Sequence, residues 1–165
     1  MNYIEKITKK ATELKNEEVR ISNLKKEKFF KNIETIKGLS ARINKMWDIA
    51  QALLNNGFKL GEKMQQDGCY TLESDCWYHQ LGFVVSSNVV VGFGIVGGGC
   101  CGEGVMFDRS GDCNIDFEKT YIEGYYTQKC VSVWEYSNIA GKVETMVTEF
   151  DEYEKKFYGY VEKNF

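Results

Sequence analysis

The residues best equipped for covalent chemistry are Cys100 and Cys101, adjacent thiols in the run Gly-Gly-Gly-Cys-Cys-Gly-Glu-Gly, and His79, the single histidine. Successive amides in a glycine-rich loop form a nest that favours an anion and can lower a thiol pKa. Cys100 or Cys101 would then be a nucleophile and His79 its base. Against this, neighbouring side chains of extended backbone point to opposite faces, and no Cys-x-x-Cys spacing occurs. The plainer reading is one buried and one partly exposed thiol.

Metal and nucleotide chemistry fare no better. Cys69, Cys76, His79 and Cys113 could supply four zinc ligands, but zinc modules carry close pairs two to four residues apart, and here only Cys76 and His79 are that close, so the set matches no zinc module. Gly92-Phe93-Gly94-Ile95-Val96-Gly97 is a literal G-x-G-x-x-G after a valine-rich run. In dinucleotide sites that motif opens a helix whose N-terminus meets the pyrophosphate. Here Gly98, Gly99, Gly102 and Gly104 follow, which is poor helix sequence. The expectation is a strand and loop, and no cofactor or metal is expected. Asp108, Asp112, Asp116 and Glu118 gather in one stretch, and the alternation of Asp116 and Glu118 with Ile115 and Phe117 suggests acids on the wet face of a strand. They lack calcium-loop spacing.

Charge is more informative. Residues 1–66 carry 14 Lys+Arg and 8 Asp+Glu; residues 67–165 carry 7 and 16. The net charge of −3 thus hides a dipolar chain, and such asymmetry speaks about partners. Lys25, Lys26, Lys28 and Lys31 beside Phe29 and Phe30 would suit phosphates and stacked bases. Phe29 lies in an apolar stripe, however, so a solvated helix face is the better reading.

The elements that must carry these residues follow from periodicity. Ile4, Ile7, Ala11 and Leu14 recur at helical spacing, and Leu24, Phe29, Ile33 and Ile36 continue the face. The stripe is imperfect near Glu17–Arg20, so residues 2–37 read as one helix or two. Ser40 is placed to start the next helix, which carries Ile43, Trp47, Ala50 and Leu54 and stops at Asn55-Asn56-Gly57. Trp77–Ser86 and Val89–Val96 read as strands joined by Ser87-Asn88. The uncharged stretch from Gln80 to Gly102 is thereby assigned to strands rather than to a membrane helix. Gly104–Arg109 and Cys113–Glu118 read as a second hairpin around Ser110-Gly111-Asp112. Val131, Val133 and Trp134 favour a further strand, and residues 139–163 are helical again.

The expected architecture is a single α+β domain over 1–165. It has a basic helical part (1–66), a Gly/Cys-rich antiparallel sheet of four to six strands (67–136) and an acidic C-terminal helix (137–165) packed on the sheet. The start, MNYIEKITKK, carries no apolar run. Six reduced thiols and a cytoplasmic location are therefore expected. Function is expected to be non-enzymatic: an interaction module, of the kind of a phage-type inhibitor of a nucleic-acid-handling protein. Its acidic surface would enter a basic groove by charge complementarity. The contact residues would be Glu144, Glu149, Asp151, Glu152, Tyr153 and Glu154 with Asp112, Asp116 and Glu118. The alternatives are a cysteine-dependent enzyme using Cys100, Cys101 and His79, or nucleic-acid binding through Lys25, Lys26, Lys28 and Lys31. Self-association through the N-terminal helix is a further expectation.

Overall fold

A computed structural model describes residues 2–61, 64–67, 80–96, 104–111, 114–116, 121–123 and 136–165. Residues 2–37 prove to belong to one helix, α1 (Tyr3–Gly38). Asn2 starts it: its side-chain oxygen accepts from the Glu5 amide at 2.8 Å, and the Glu5 carboxylate accepts from the Asn2 amide at 3.0 Å. This capping box satisfies amide donors that the helix itself leaves over. No Gly or Pro interrupts the helix before Gly38. The polar stretch Glu17–Arg20 therefore weakens the stripe without breaking the backbone, and Arg20 clasps Glu17 one turn away at 2.6 Å.

Helix α2 (Ser40–Asn55) follows after Leu39 alone. The capping role read for Ser40 is corrected: its hydroxyl donates to the Lys37 carbonyl at 2.6 Å, closing α1, and α2 begins without a side-chain cap. Strands β1 (Gln65–Asp67), β2 (Gln80–Ser86), β3 (Val89–Val96) and β4 (Gly104–Phe107) form one sheet in that spatial order. β2, β3 and β4 pair antiparallel, while the three-residue β1 joins the edge of β2 in parallel.

Two expectations are corrected here. The class is α+β, but the antiparallel sheet has three strands among the described residues, not four to six. Among the described residues the predicted second hairpin is also not formed. β5 (Asn114–Asp116) pairs with β6 (Tyr121–Glu123) in a separate ribbon, and β4 pairs with β3. The reason lies after β4. Asp108 accepts from the Ser110 amide and hydroxyl, and Gly111 adopts φ +83°. That turn sends the chain to the corner between α1 and α2, where Gly111 sits against Ser40, rather than back along β4.

The core lies between the sheet and the helices. Leu81 and Phe83 of β2, Phe93 and Ile95 of β3, and Val105 and Phe107 of β4 alternate onto the buried face. Helix α3 (Tyr136–Asn164) lays Val143, Met146, Phe150, Tyr153 and Phe157 on them, and α2 adds Ile43, Met46, Trp47 and Ala50. Phe83 sits at the centre, with ring centroids of Phe93, Phe157 and Trp47 at 5.0, 5.7 and 6.0 Å. Offset and edge-on aromatic contacts of this kind add to area burial. Among the described residues, no helix is long and apolar enough to cross a membrane. The uncharged stretch from Gln80 is β2, a turn and β3 as far as Val96.

Candidate interaction surface

Several predicted site residues, Cys100, Cys101, His79, Asp112 and Glu118, lie outside the described residues, as do Cys69, Cys76 and Cys113. Asp116 stands in β5, where only the backbone is described. Among the described residues, no group of three or more His, Cys, Asp or Glu could hold a metal ion. Gly92 and Gly94 lie inside β3; both pair with β2, and Gly94 also pairs with Met106 of β4. A β-carbon on Gly94 would collide with the Val105 carbonyl and stand 2.9 Å from Met106 Cα. Gly94 therefore admits the backbone of β4 at close range, and Gly92 admits the side chain of Met106.

The acidic residues of α3 are largely engaged within the fold. Lys28 of α1 reaches Glu144 at 2.8 Å. Arg42 of α2 reaches Asp151 at 2.8 Å and Glu154 at 2.7 Å, and its guanidinium lies 4.8 Å from the centroid of the Phe150 ring. Hydrogen bonds that Arg42 donates to Glu154 and then to Asp151 hold its pKa well above the ordinary arginine value. Glu152 pairs with Lys156 one turn on at 3.2 Å. Tyr153 is corrected from a surface contact to a core residue. It is 6% exposed, its hydroxyl donates to the Met64 carbonyl at 2.8 Å, and burial pushes its pKa up. Glu149 is exposed.

The lysine cluster is divided in the same way. Lys25 and Lys28 line a groove of about 230 Å³ with Phe29, Asn32, Ala140, Gly141 and Glu144. Phe29 is 1% exposed, which removes it from any stacking platform, whereas Phe30 is exposed. Lys31 is exposed too.

What the fold leaves open is the first two-thirds of α1. Every residue from Asn2 to Lys25 is exposed, and α1 contributes to the core only through Phe29, Ile33 and Ile36. The stretch Tyr3–Leu24 extends about 33 Å at 1.5 Å per residue. Along it Ile4, Ile7, Leu14 and Ile21 are 75%, 69%, 55% and 41% exposed. With Ala11 they keep a spacing of three and four, interrupted only by Glu18, and Tyr3 and Leu24 flank them. This seam continues the helix face that buries Phe29 and Ile36. The direct bond from Arg20 holds the Glu17 carboxyl below its ordinary pKa, so both charges are present at neutral pH.

The sequence displayed the first half of this seam but not its exposure, and Tyr3 and Ile21 were missed as contact residues. The signal that would have found them is the same spacing carried across Glu18, beginning at the Asn2–Glu5 capping pair. Comparison with protein-family models, with curated proteins and with solved structures gave no match.

Proposed function

We propose that the protein is a non-enzymatic interaction module whose working element is the exposed stretch Tyr3–Leu24 of α1. The observation that carries this is the row Ile4, Ile7, Leu14 and Ile21, turned to water on a capped helix that continues into the core. Most helical stability in proteins comes from packing an apolar face rather than from intrinsic propensity. A narrow seam at heptad spacing fits another helix better than it fits a flat sheet or a small ligand.

The narrower expectation, an acidic α3 surface that enters a basic groove, is not favoured. Lys28, Arg42 and Lys156 already sit against Glu144, Asp151, Glu154 and Glu152. The test is affinity capture from the native host's lysate with quantitative mass spectrometry, comparing three tagged chains. The unaltered chain and a Glu149→Gln/Glu152→Gln variant should retain the same associated species. An Ile7→Asp/Leu14→Asp variant should lose it, with unchanged circular dichroism in the body. Loss by the acidic variant and retention by the seam variant would move the working surface to α3 and overturn the proposal.

A further inference from the structure

Resting on that reading of α1, the geometry points to a second copy of this chain as the occupant of the seam, and we propose that two α1 helices pair antiparallel over Tyr3–Leu24. In heptad terms Ile4, Ala11 and Glu18 take the a position, and Ile7, Leu14 and Ile21 take d. Seam residues repeating every 3.5 positions drift slowly around a straight helix, which two strands absorb by a left-handed supercoil.

Charge decides the orientation. Lys10 and Glu17 occupy g positions, and Lys15 occupies e. In a parallel, in-register pair Lys10 would face the other copy's Lys15 twice, and Glu18 would meet Glu18 in the seam. In the antiparallel register where Ile4 meets the other copy's Ile21, Ala11 meets Leu14 and Ile7 meets Glu18. The same register places Lys10 opposite Glu17 twice and Tyr3 opposite Leu24 twice. The Lys10–Lys15 contacts of the parallel pair are thereby replaced by Lys10–Glu17 attractions, and the Glu18–Glu18 contact by Glu18 against Ile7. Glu18 can lay its aliphatic stem on Ile7 and keep its carboxylate in water.

Three further observations agree. The overlap ends at Leu24, one residue before Lys25, which lines the groove against α3, so the two folded bodies would stand at opposite ends of the paired helices. The stretch carries five basic residues (Lys6, Lys9, Lys10, Lys15, Arg20) and four acidic ones (Glu5, Glu13, Glu17, Glu18). Near-balance of this kind suits a partner with the same mixed pattern better than a polyanion, which calls for a clear positive excess. The existing bonds of Glu17 to Arg20 and of Lys10 to Glu13 are exposed pairs within the helix, which a facing chain can share.

Sedimentation equilibrium on the full chain tests the pairing. The unaltered protein should run at twice its 19.0 kDa mass at concentrations of tens of micromolar and above. Leu14→Asp, in the central layers, should run at the single-chain mass. Lys10→Glu and Glu17→Lys should each weaken the dimer, roughly tenfold or more in Kd, by placing like charges across the seam. The variant with both changes should recover most of that loss, although the bond between Glu17 and Arg20 is gone in it. A dimer that tightens on Lys10→Glu pairs in parallel, which overturns the antiparallel arrangement while the seam reading stands. A chain still at the single mass at several hundred micromolar overturns self-pairing. The lysate comparison then shows whether the seam serves a different protein. A dimer indifferent to Leu14→Asp overturns both.

Discussion

Placing a methyl group on Gly94 and on Gly92 in turn probes why β3 carries glycines at its centre. At Gly94 the obstacle is backbone: the β-carbon would overlap the Val105 carbonyl oxygen and lie 2.9 Å from Met106 Cα. Strand β4 would have to move away from β3, disturbing the pairs Phe93 with Phe107 and Ile95 with Val105 that form the buried face. Overpacking of this kind costs about 3 kcal/mol. At Gly92 the obstacle is the Sδ and Cγ of Met106, the far part of a flexible side chain that can turn aside. The cost there should be about 1 kcal/mol. Alanine also restricts the unfolded chain and returns up to about 1 kcal/mol at either site. Urea unfolding followed by far-ultraviolet circular dichroism measures both changes. Adding Met106→Ala should relieve Gly92→Ala, with a coupling of about 1 kcal/mol, and leave Gly94→Ala unrelieved. Equal destabilisation at the two sites, or equal relief by Met106→Ala, would refute the strand-contact account. A micromolar nucleotide site lost on Gly94→Ala would refute it more directly.

Two further outcomes follow from the turn and from the buried tyrosine. Ser87 and Asn88 hold φ of 51° and 62°, the pattern of a two-residue hairpin turn of type I′. Changing the pair to Asn-Gly should therefore raise stability by about 0.5–1 kcal/mol in the same urea assay. Tyr153 has its pKa raised by burial above the ordinary 10.0. Its stabilising contribution is whole below the unfolded value of about 10 and declines by about 1.4 kcal/mol per pH unit above it. Stability of the Tyr153→Phe variant, measured from pH 9 to 11.5, should fall less steeply than that of the unaltered chain by about that slope; parallel curves would exclude the mechanism.

Local pattern made much of the fold legible. Val89–Val96 is β3 with the bounds that its valine-rich run and the Ser87-Asn88 turn implied, and α2 ends at Asn55 before Gly57 as its stop signals required. What local pattern does not contain is pairing across long stretches of sequence. Nothing near Arg42 announces Asp151 and Glu154, more than a hundred residues away, and so those carboxylates looked available to a partner. Alternation shows that Val105 and Phe107 share a face, but not that their neighbour is β3 rather than the next strand. Nor does a three-residue strand such as β1 have enough length to declare itself. Tyr153 misled for a related reason. A tyrosine among five acids resembles a surface contact until the Met64 carbonyl is seen beneath its hydroxyl.

The ion pairs that cross the charge break and the extent of the exposed seam both follow from where α3 packs on the first two helices. Apolar spacing at Ile4–Leu14 is as regular as at Phe29–Ile36, yet only the second is covered, because α3 meets α1 in the region of Lys25–Asn32. Where α3 is present, its carboxylates neutralise basic residues of the helical half, through Lys28 with Glu144 and Arg42 with Asp151 and Glu154. These exposed pairs hold register more than they add stability. Ahead of that junction α1 meets no acidic helix among the described residues and balances its charges within itself, as Lys10 with Glu13 and Arg20 with Glu17 show. A segment drawn to a basic groove or to a phosphate backbone would keep an excess of one sign. Tyr3–Leu24 instead keeps both signs interleaved beside an apolar row, the arrangement that selects a helix of matching pattern and fixes its direction.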